Sequence, residues 1–73
     1  MTPAQLGEIV RTARRSLKLR QDQLAGAAGV GVRFIIDLEA GKPTTHLGKS
    51  LAVLDALGCR VKIEPPKARV SAQ

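Results

Sequence analysis

Five cations, Arg11, Arg14, Arg15, Lys18 and Arg20, crowd into ten consecutive residues, and Arg33 and Lys42 follow at wider spacing. The chemistry open to such groups is the binding of an anion, through charge and donated hydrogen bonds. The chain as a whole has the same sense: 12 Lys and Arg against 6 Asp and Glu give a formal net charge of +6 and a pI of about 10.5. A balance this basic favours a polyanionic partner such as nucleic acid.

Catalytic chemistry finds little to work with. There is no Gly-rich phosphate loop with its Lys and Ser/Thr, and no Ser/His/Asp or Cys/His set beyond isolated residues. The chain is therefore not expected to be an enzyme. A single cysteine, Cys59, excludes an internal disulfide, and no Cys/His cluster offers four zinc ligands, so no metal or cofactor is expected. Cys59 itself reads as a small buried hydrophobe rather than a nucleophile. No apolar run is long enough to cross a bilayer, and the N-terminal residues lack a signal peptide's apolar core. The expected location is the reducing cytoplasm.

The elements that must position these cations follow from hydrophobic periodicity. A chain of 73 residues with a 44% hydrophobic fraction makes one small folded domain, near the lower limit for a core without disulfides or metal. Association with a second copy is expected. Thr2-Pro3-Ala4-Gln5 reads as a helix start, with Thr2 as cap, Pro3 at the first helical position and Gln5 as capping-box partner. Apolar residues at Leu6, Ile9, Val10, Ala13 and Leu17 extend that helix over 3–18. Its other face carries Glu8, Arg11, Thr12, Arg15 and Lys18, the pattern of a solvated surface.

Residues 21–41, QDQLAGAAGVGVRFIIDLEAG, hold the centre of the chain. Leu24, Ala25 and Ala28 predict one inward face over 21–28, and Ile35 and Leu38 a second over 32–40. Val30 plugs the corner after Gly29, Gly31 caps the second helix and Gly41 stops it. Two short helices at a tight turn make a helix-turn-helix. After the loop at Lys42-Pro43, a cap at Thr44, Thr45 or His46 starts a fourth helix lined by Leu47, Leu51, Leu54 and Leu57, with Val53 beside them, ending at Gly58. His46 reads as a loop or cap residue, the alternatives being a phosphate contact or a pH-sensitive group.

The period then changes. Cys59, Val61 and Ile63 alternate with Arg60, Lys62 and Glu64, an amphipathic strand over 59–64. A lone strand cannot satisfy its backbone groups, and no second strand is visible in the sequence. The economical partner is the same strand of a second copy, antiparallel across a two-fold axis. The domain thus spans 1–64, and 65–73, opening with Pro65-Pro66, is expected to be a disordered tail.

If Ile35 and Leu38 face inward, helical geometry turns Val32, Arg33, Ile36 and Asp37 outward. The second helix of such a motif enters the DNA major groove and offers its first residues to base edges. Arg33 can donate two hydrogen bonds to a guanine, and Val32 can touch a thymine methyl. Asp37 can accept from a cytosine or orient Arg33. Gln21, at a helix N-terminus, approaches the sugar-phosphate backbone, with Arg20, Lys42, Arg15 and Lys18 as further phosphate contacts. Phe34 and Ile36 fit the scheme less well: they pack on thymine methyls, form a partner surface, or join the core through a rotated helix.

The order Arg14, Leu19, Gln21, Leu24-Ala25, Gly29-Val30, Ile35, Leu38-Glu39, Gly41, Leu47 and Ala56-Leu57-Gly58 resembles the lambda-repressor-like DNA-binding domains of the xenobiotic-response-element (XRE) type. The resemblance implies a mainly α, four-helix fold. It also implies a buried pair between Arg14 and Glu39, which takes Arg14 out of the phosphate contacts. The ending, Thr45-His46-Leu47 followed by Leu51, Val53-Leu54, Leu57 and the strand Cys59-Arg60-Val61-Lys62-Ile63, is similar to the HipB antitoxins. That likeness implies a homodimer on a palindromic operator of double-stranded DNA, repressing its own operon and holding a HipA-type kinase toxin inactive. Two departures stand out: Arg20 replaces the usual Ser or Thr cap of the second helix, and Gly31 replaces a Ser before the third. The other readings are a stand-alone phage-type or metabolic regulator, and a protein-interaction module with little DNA specificity.

Overall fold

Helices α1 (Pro3–Ser16), α2 (Gln21–Ala28), α3 (Val32–Glu39) and α4 (Leu47–Ala56) account for the regular structure among the described residues. The computed structural model describes residues 1–44 and 46–65. Helix α1 starts with the expected reciprocal cap. Gln5 N–H donates to Thr2 Oγ1 at 3.1 Å, and Thr2 N–H donates to Gln5 Oε1 at 2.8 Å. Pro3 follows the cap, where its missing N–H costs nothing.

Helix α1 ends two residues short of the expected Lys18. Lys18 adopts a left-handed conformation, with φ 58°, and two hydrogen bonds wrap the terminus around it. Lys18 N–H donates to the Arg15 carbonyl at 2.9 Å and Leu19 N–H to the Arg14 carbonyl at 3.1 Å. This is a Schellman closure with lysine where glycine is usual. The same closure at Gly29, with φ 71°, turns the chain sharply between α2 and α3. Only a residue without Cβ takes that conformation freely. At the end of α3, Ala40 is the capping residue and not part of the helix.

The core comprises Val10 of α1, Leu24 and Ala25 of α2, Ile35 and Leu38 of α3, and Val53, Leu54 and Leu57 in and just after α4. Helix α2 packs on both α3 and α4, while α1 packs on α3. Leu6, Ala13, Ala28, Val30, Phe34, Ala56 and Cys59 lie around this centre, so Val30 occupies the corner as expected.

Two of the expected stripes are wider than the contacts that cover them. Ile9 and Leu17 of the α1 region and Leu47 and Leu51 of α4 are exposed. Helix α1 instead buries Gly7, Val10 and Arg14, and α4 buries Ser50, Val53 and Leu54. Each set lies on one face at three- and four-residue spacing, and four short helices cover no more than one narrow strip of each. Gly7 fixes the closest approach. A Cβ there would lie 2.5 Å from the Leu38 carbonyl oxygen and 2.9 Å from that of Glu39, so the α1 backbone rests directly on the end of α3.

Residues 59–65 form no strand in the single chain, and no strand occurs among the described residues. Cys59 packs against the core, whereas Val61 and Ile63 are exposed. Thr45 and residues 66–73, all of the expected tail except Pro65, lie outside the described residues. His46 takes the capping position of α4 without a side-chain cap; its carbonyl instead accepts from Ser50 Oγ at 3.2 Å.

Candidate nucleic-acid interface

Three helices meet at one carboxylate. Glu39, at the end of α3 and almost wholly buried, receives Arg14 Nε on Oε2 at 2.6 Å and Arg14 Nη2 on Oε1 at 3.0 Å. The remaining guanidinium nitrogen, Nη1, donates to the Leu19 carbonyl at 2.8 Å in the α1–α2 link. Gln21 Nε2, from the first turn of α2, donates to Glu39 Oε1 at 3.2 Å. Arg11 adds its charge at 3.8 Å and a hydrogen bond to the Glu39 carbonyl at 3.3 Å. Burial alone would push the Glu39 carboxyl up, but the hydrogen bonds from Arg14 and Gln21 and the charges of Arg14 and Arg11 outweigh it. The net effect holds the carboxyl below its ordinary range. The hydrogen bond to Glu39 likewise raises Arg14. This cluster sets the mutual placement of α1, α2 and α3.

Around that anchor the outer face of α3 carries Val32, Arg33, Ile36 and Asp37. Val32, Arg33 and Ile36 are exposed and Asp37 is half-buried. Arg33 Nε lies 3.4 Å from Asp37 Oδ1, one helical turn on, and Lys42 Nζ lies 3.6 Å from the same oxygen. Two of the three base-contact candidates, Arg33 and Asp37, and one phosphate candidate, Lys42, therefore form a single charged group, with Val32 outside it. Phe34 is not exposed with them. It is half-buried against the core, with the His46 ring edge-on at a centroid distance of 6.4 Å and Lys49 Nζ 5.8 Å from its centroid. Ile36 remains exposed. No rotation of the helix is needed, because Ile35, Leu38 and Glu39 are the buried residues of α3.

The N-termini of α2 and α3 carry no side-chain cap; the first-turn N–H groups of α2 keep donors free for an anion, whereas in α3 the Phe34 N–H donates to the Gly31 carbonyl at 3.1 Å. At α2, Arg20 cannot accept a hydrogen bond, and only half of a capping box forms: Arg20 N–H donates to Gln23 Oε1 at 2.8 Å. Arg20 Nε also meets Asp22 Oδ1 at 3.1 Å, and that hydrogen bond lowers Asp22. Arg15, Lys18, Arg20 and Lys42 are exposed, whereas Gln21 is half-buried with its amide nitrogen committed to Glu39. Glu39 takes one amide hydrogen of Gln21, which leaves the second amide hydrogen and the backbone N–H as its remaining donors.

The pattern of residue types did not reveal Gln21 and Arg11 as partners of Glu39, or Lys49 as a cation stacked on Phe34. Lys49 lies in the first turn of α4, and its reach toward Phe34 depends on a helix crossing that spacing within one helix cannot give. No cluster of three or more potential metal ligands exists among the described residues. No helix of the described residues is long and apolar enough to cross a membrane.

The sequence profile of the helix-turn-helix family matches residues 10–62. The chain belongs to this family. It is also similar to an uncharacterised HTH-type transcriptional regulator, y4mF, of Sinorhizobium fredii, with 59% identity over 68 residues that cover 93% of this chain and 90% of the relative. In this helix-turn-helix protein, α2 and α3 are the paired helices of the motif, and α3 is the one such a motif lays in the major groove. The family match begins at Val10, so it includes Arg14 and Leu19 as well as the motif, and it ends beyond α4.

Proposed function

We propose that this helix-turn-helix protein is a cytoplasmic, nucleoid-associated, homodimeric repressor that reads a palindromic operator through α3. The observation that carries the reading is the outward face of α3, where Arg33 stands exposed in the first turn while Ile35, Leu38 and Glu39 lock the opposite face. Arg33 reads a guanine and Val32 meets a thymine methyl. Arg20, Arg15, Lys18 and Lys42, with the free N–H groups of α2, hold the phosphates. The high identity to a relative described as an HTH-type transcriptional regulator supports a regulatory role.

Dimerisation through residues 59–64 is supported by the alternation of Val61 and Ile63, both exposed in the single chain. In the HipB-type reading the dimer also represses its own operon and restrains a HipA-type kinase encoded beside it. Support for that step is the resemblance of the segment after α4, and copurification with the neighbouring gene product tests it.

The DNA-binding claim is tested by selecting binding sites from a pool of random duplexes. The selected sequence is a palindrome whose half-sites lie one or more helical turns apart, about 34–36 Å per turn, and its binding weakens steeply with salt. Recovery of no common sequence, with binding set by duplex length alone, contradicts it.

A further inference from the structure

We propose that Asp37 is a positioning residue that sets how Arg33 meets a base, and that it does not itself contact DNA. This rests on the base-reading role of Arg33 proposed above. Asp37 Oδ1 lies 3.4 Å from Arg33 Nε, on the inner edge of the guanidinium, and so leaves the two terminal nitrogens unoccupied. Those are the nitrogens that can donate in parallel to guanine O6 and N7. A guanidinium paired with Asp37 at Nε keeps both terminal nitrogens available for that end-on contact.

Burial separates the two possible roles of Asp37. Its side chain is 33% exposed, against 76% for that of Arg33 one turn earlier, so the carboxylate sits behind the guanidinium rather than level with it. Lys42 is a second cation on the same oxygen, with Nζ 3.6 Å from Oδ1. A carboxylate flanked by two cations brings the negative charge that a position facing phosphates otherwise repels, and here both neighbours neutralise it. When Lys42 turns to a phosphate, Asp37 is left to Arg33 alone. Phosphate docking at Lys42 thereby strengthens the hold on the base-reading side chain.

An exposed ion pair of this kind contributes little to folding. Its effect belongs to recognition, where the groove excludes water and a loose arginine loses its end-on geometry. The experiment is a specificity cycle with full-length protein and the duplex recovered by site selection, beside a duplex in which the guanine assigned to Arg33 is replaced. The ratio of the two affinities is measured for wild type, Asp37→Ala, Arg33→Ala and the double variant, with circular dichroism melts as the folding control.

Asp37→Ala alone is expected to reduce the ratio by roughly three- to tenfold while binding to the replaced duplex stays equal or tightens. In the Arg33→Ala background the same change is expected to leave the ratio unaltered. A further loss of specificity in that background, or a loss centred on a different base pair, means that Asp37 touches DNA itself and overturns the proposal. An unchanged ratio for Asp37→Ala in the presence of Arg33 overturns it equally. If Arg33→Ala alone leaves the ratio intact, it is the base-reading role of Arg33 that fails, and the positioning role falls with it.

Discussion

Arg14 and Glu39 are joined through two parallel hydrogen bonds, Nε to Oε2 at 2.6 Å and Nη2 to Oε1 at 3.0 Å, in a site that buries both side chains. The bond links the last turn of α1 to the last residue of α3, across 25 positions of sequence. With Gln21 on the same carboxylate, the recognition helix is held from both α1 and α2. Removing only one partner strands a buried charge. Arg14→Met is therefore expected to destabilise the fold by about 3–5 kcal/mol, and Arg14→Met with Glu39→Leu by less than the two single changes together. Urea unfolding of the three variants checks this.

The same carboxylate sets the response to acid. Because the folded-state Glu39 titrates below its ordinary range, its contribution to stability is complete above the unfolded value of about 4.3. It is lost as pH falls from there through the lower folded value. Thermal melts between neutral pH and pH about 3 should show this loss in wild type, with a shallower acid dependence in Glu39→Gln, whose side chain does not titrate.

Gly7 and Gly26 offer opposite outcomes for one substitution. Gly7→Ala drives a methyl into the Leu38 carbonyl oxygen, 2.5 Å away, and is expected to cost about 1–3 kcal/mol or more as α1 lifts from α3. Gly26→Ala in α2 meets nothing within 4 Å and is expected to stabilise by up to about 1 kcal/mol through helix propensity. Equal effects in denaturant melts would show that α1 does not rest on the end of α3.

Much of this arrangement is legible in the sequence because it is local. The Thr2–Gln5 cap, the turn at Gly29 and the inward Ile35 and Leu38 all follow from residue type and spacing within a few positions. What the periodicity misses is how narrow each contact is. Leu47 and Leu51 continue a helical stripe, yet α2 covers only the Ser50, Val53 and Leu54 face of α4. The absence of a side chain at Gly7 carries no apolar signal, although that absence lets α1 touch α3. Gln21 is readable as a polar residue at a helix start, but its bond to Glu39 depends on tertiary placement. Arg33 and Asp37 lie one turn apart on the outward face, so their pairing was among the two roles the spacing left open for Asp37.

The exposed alternation of Val61 and Ile63 bears on assembly. Removing residues 60–73 deletes most of the expected pairing strand while leaving all four helices. Sedimentation of the shortened chain should give a monomer where the full chain gives a dimer. A dimer that persists places the interface elsewhere.

The central claim is that α3 reads sequence through Arg33 on a scaffold fixed by Glu39. Its most direct test is the affinity of wild type and Arg33→Ala for the selected operator and for random duplex of equal length at one salt concentration. Loss of a bidentate guanine contact, worth about 1–3 kcal/mol, should weaken operator binding by roughly 5- to 150-fold per half-site while random-sequence binding falls little. Equal losses on both duplexes would mean that Arg33 holds only the phosphate backbone, and would contradict the account.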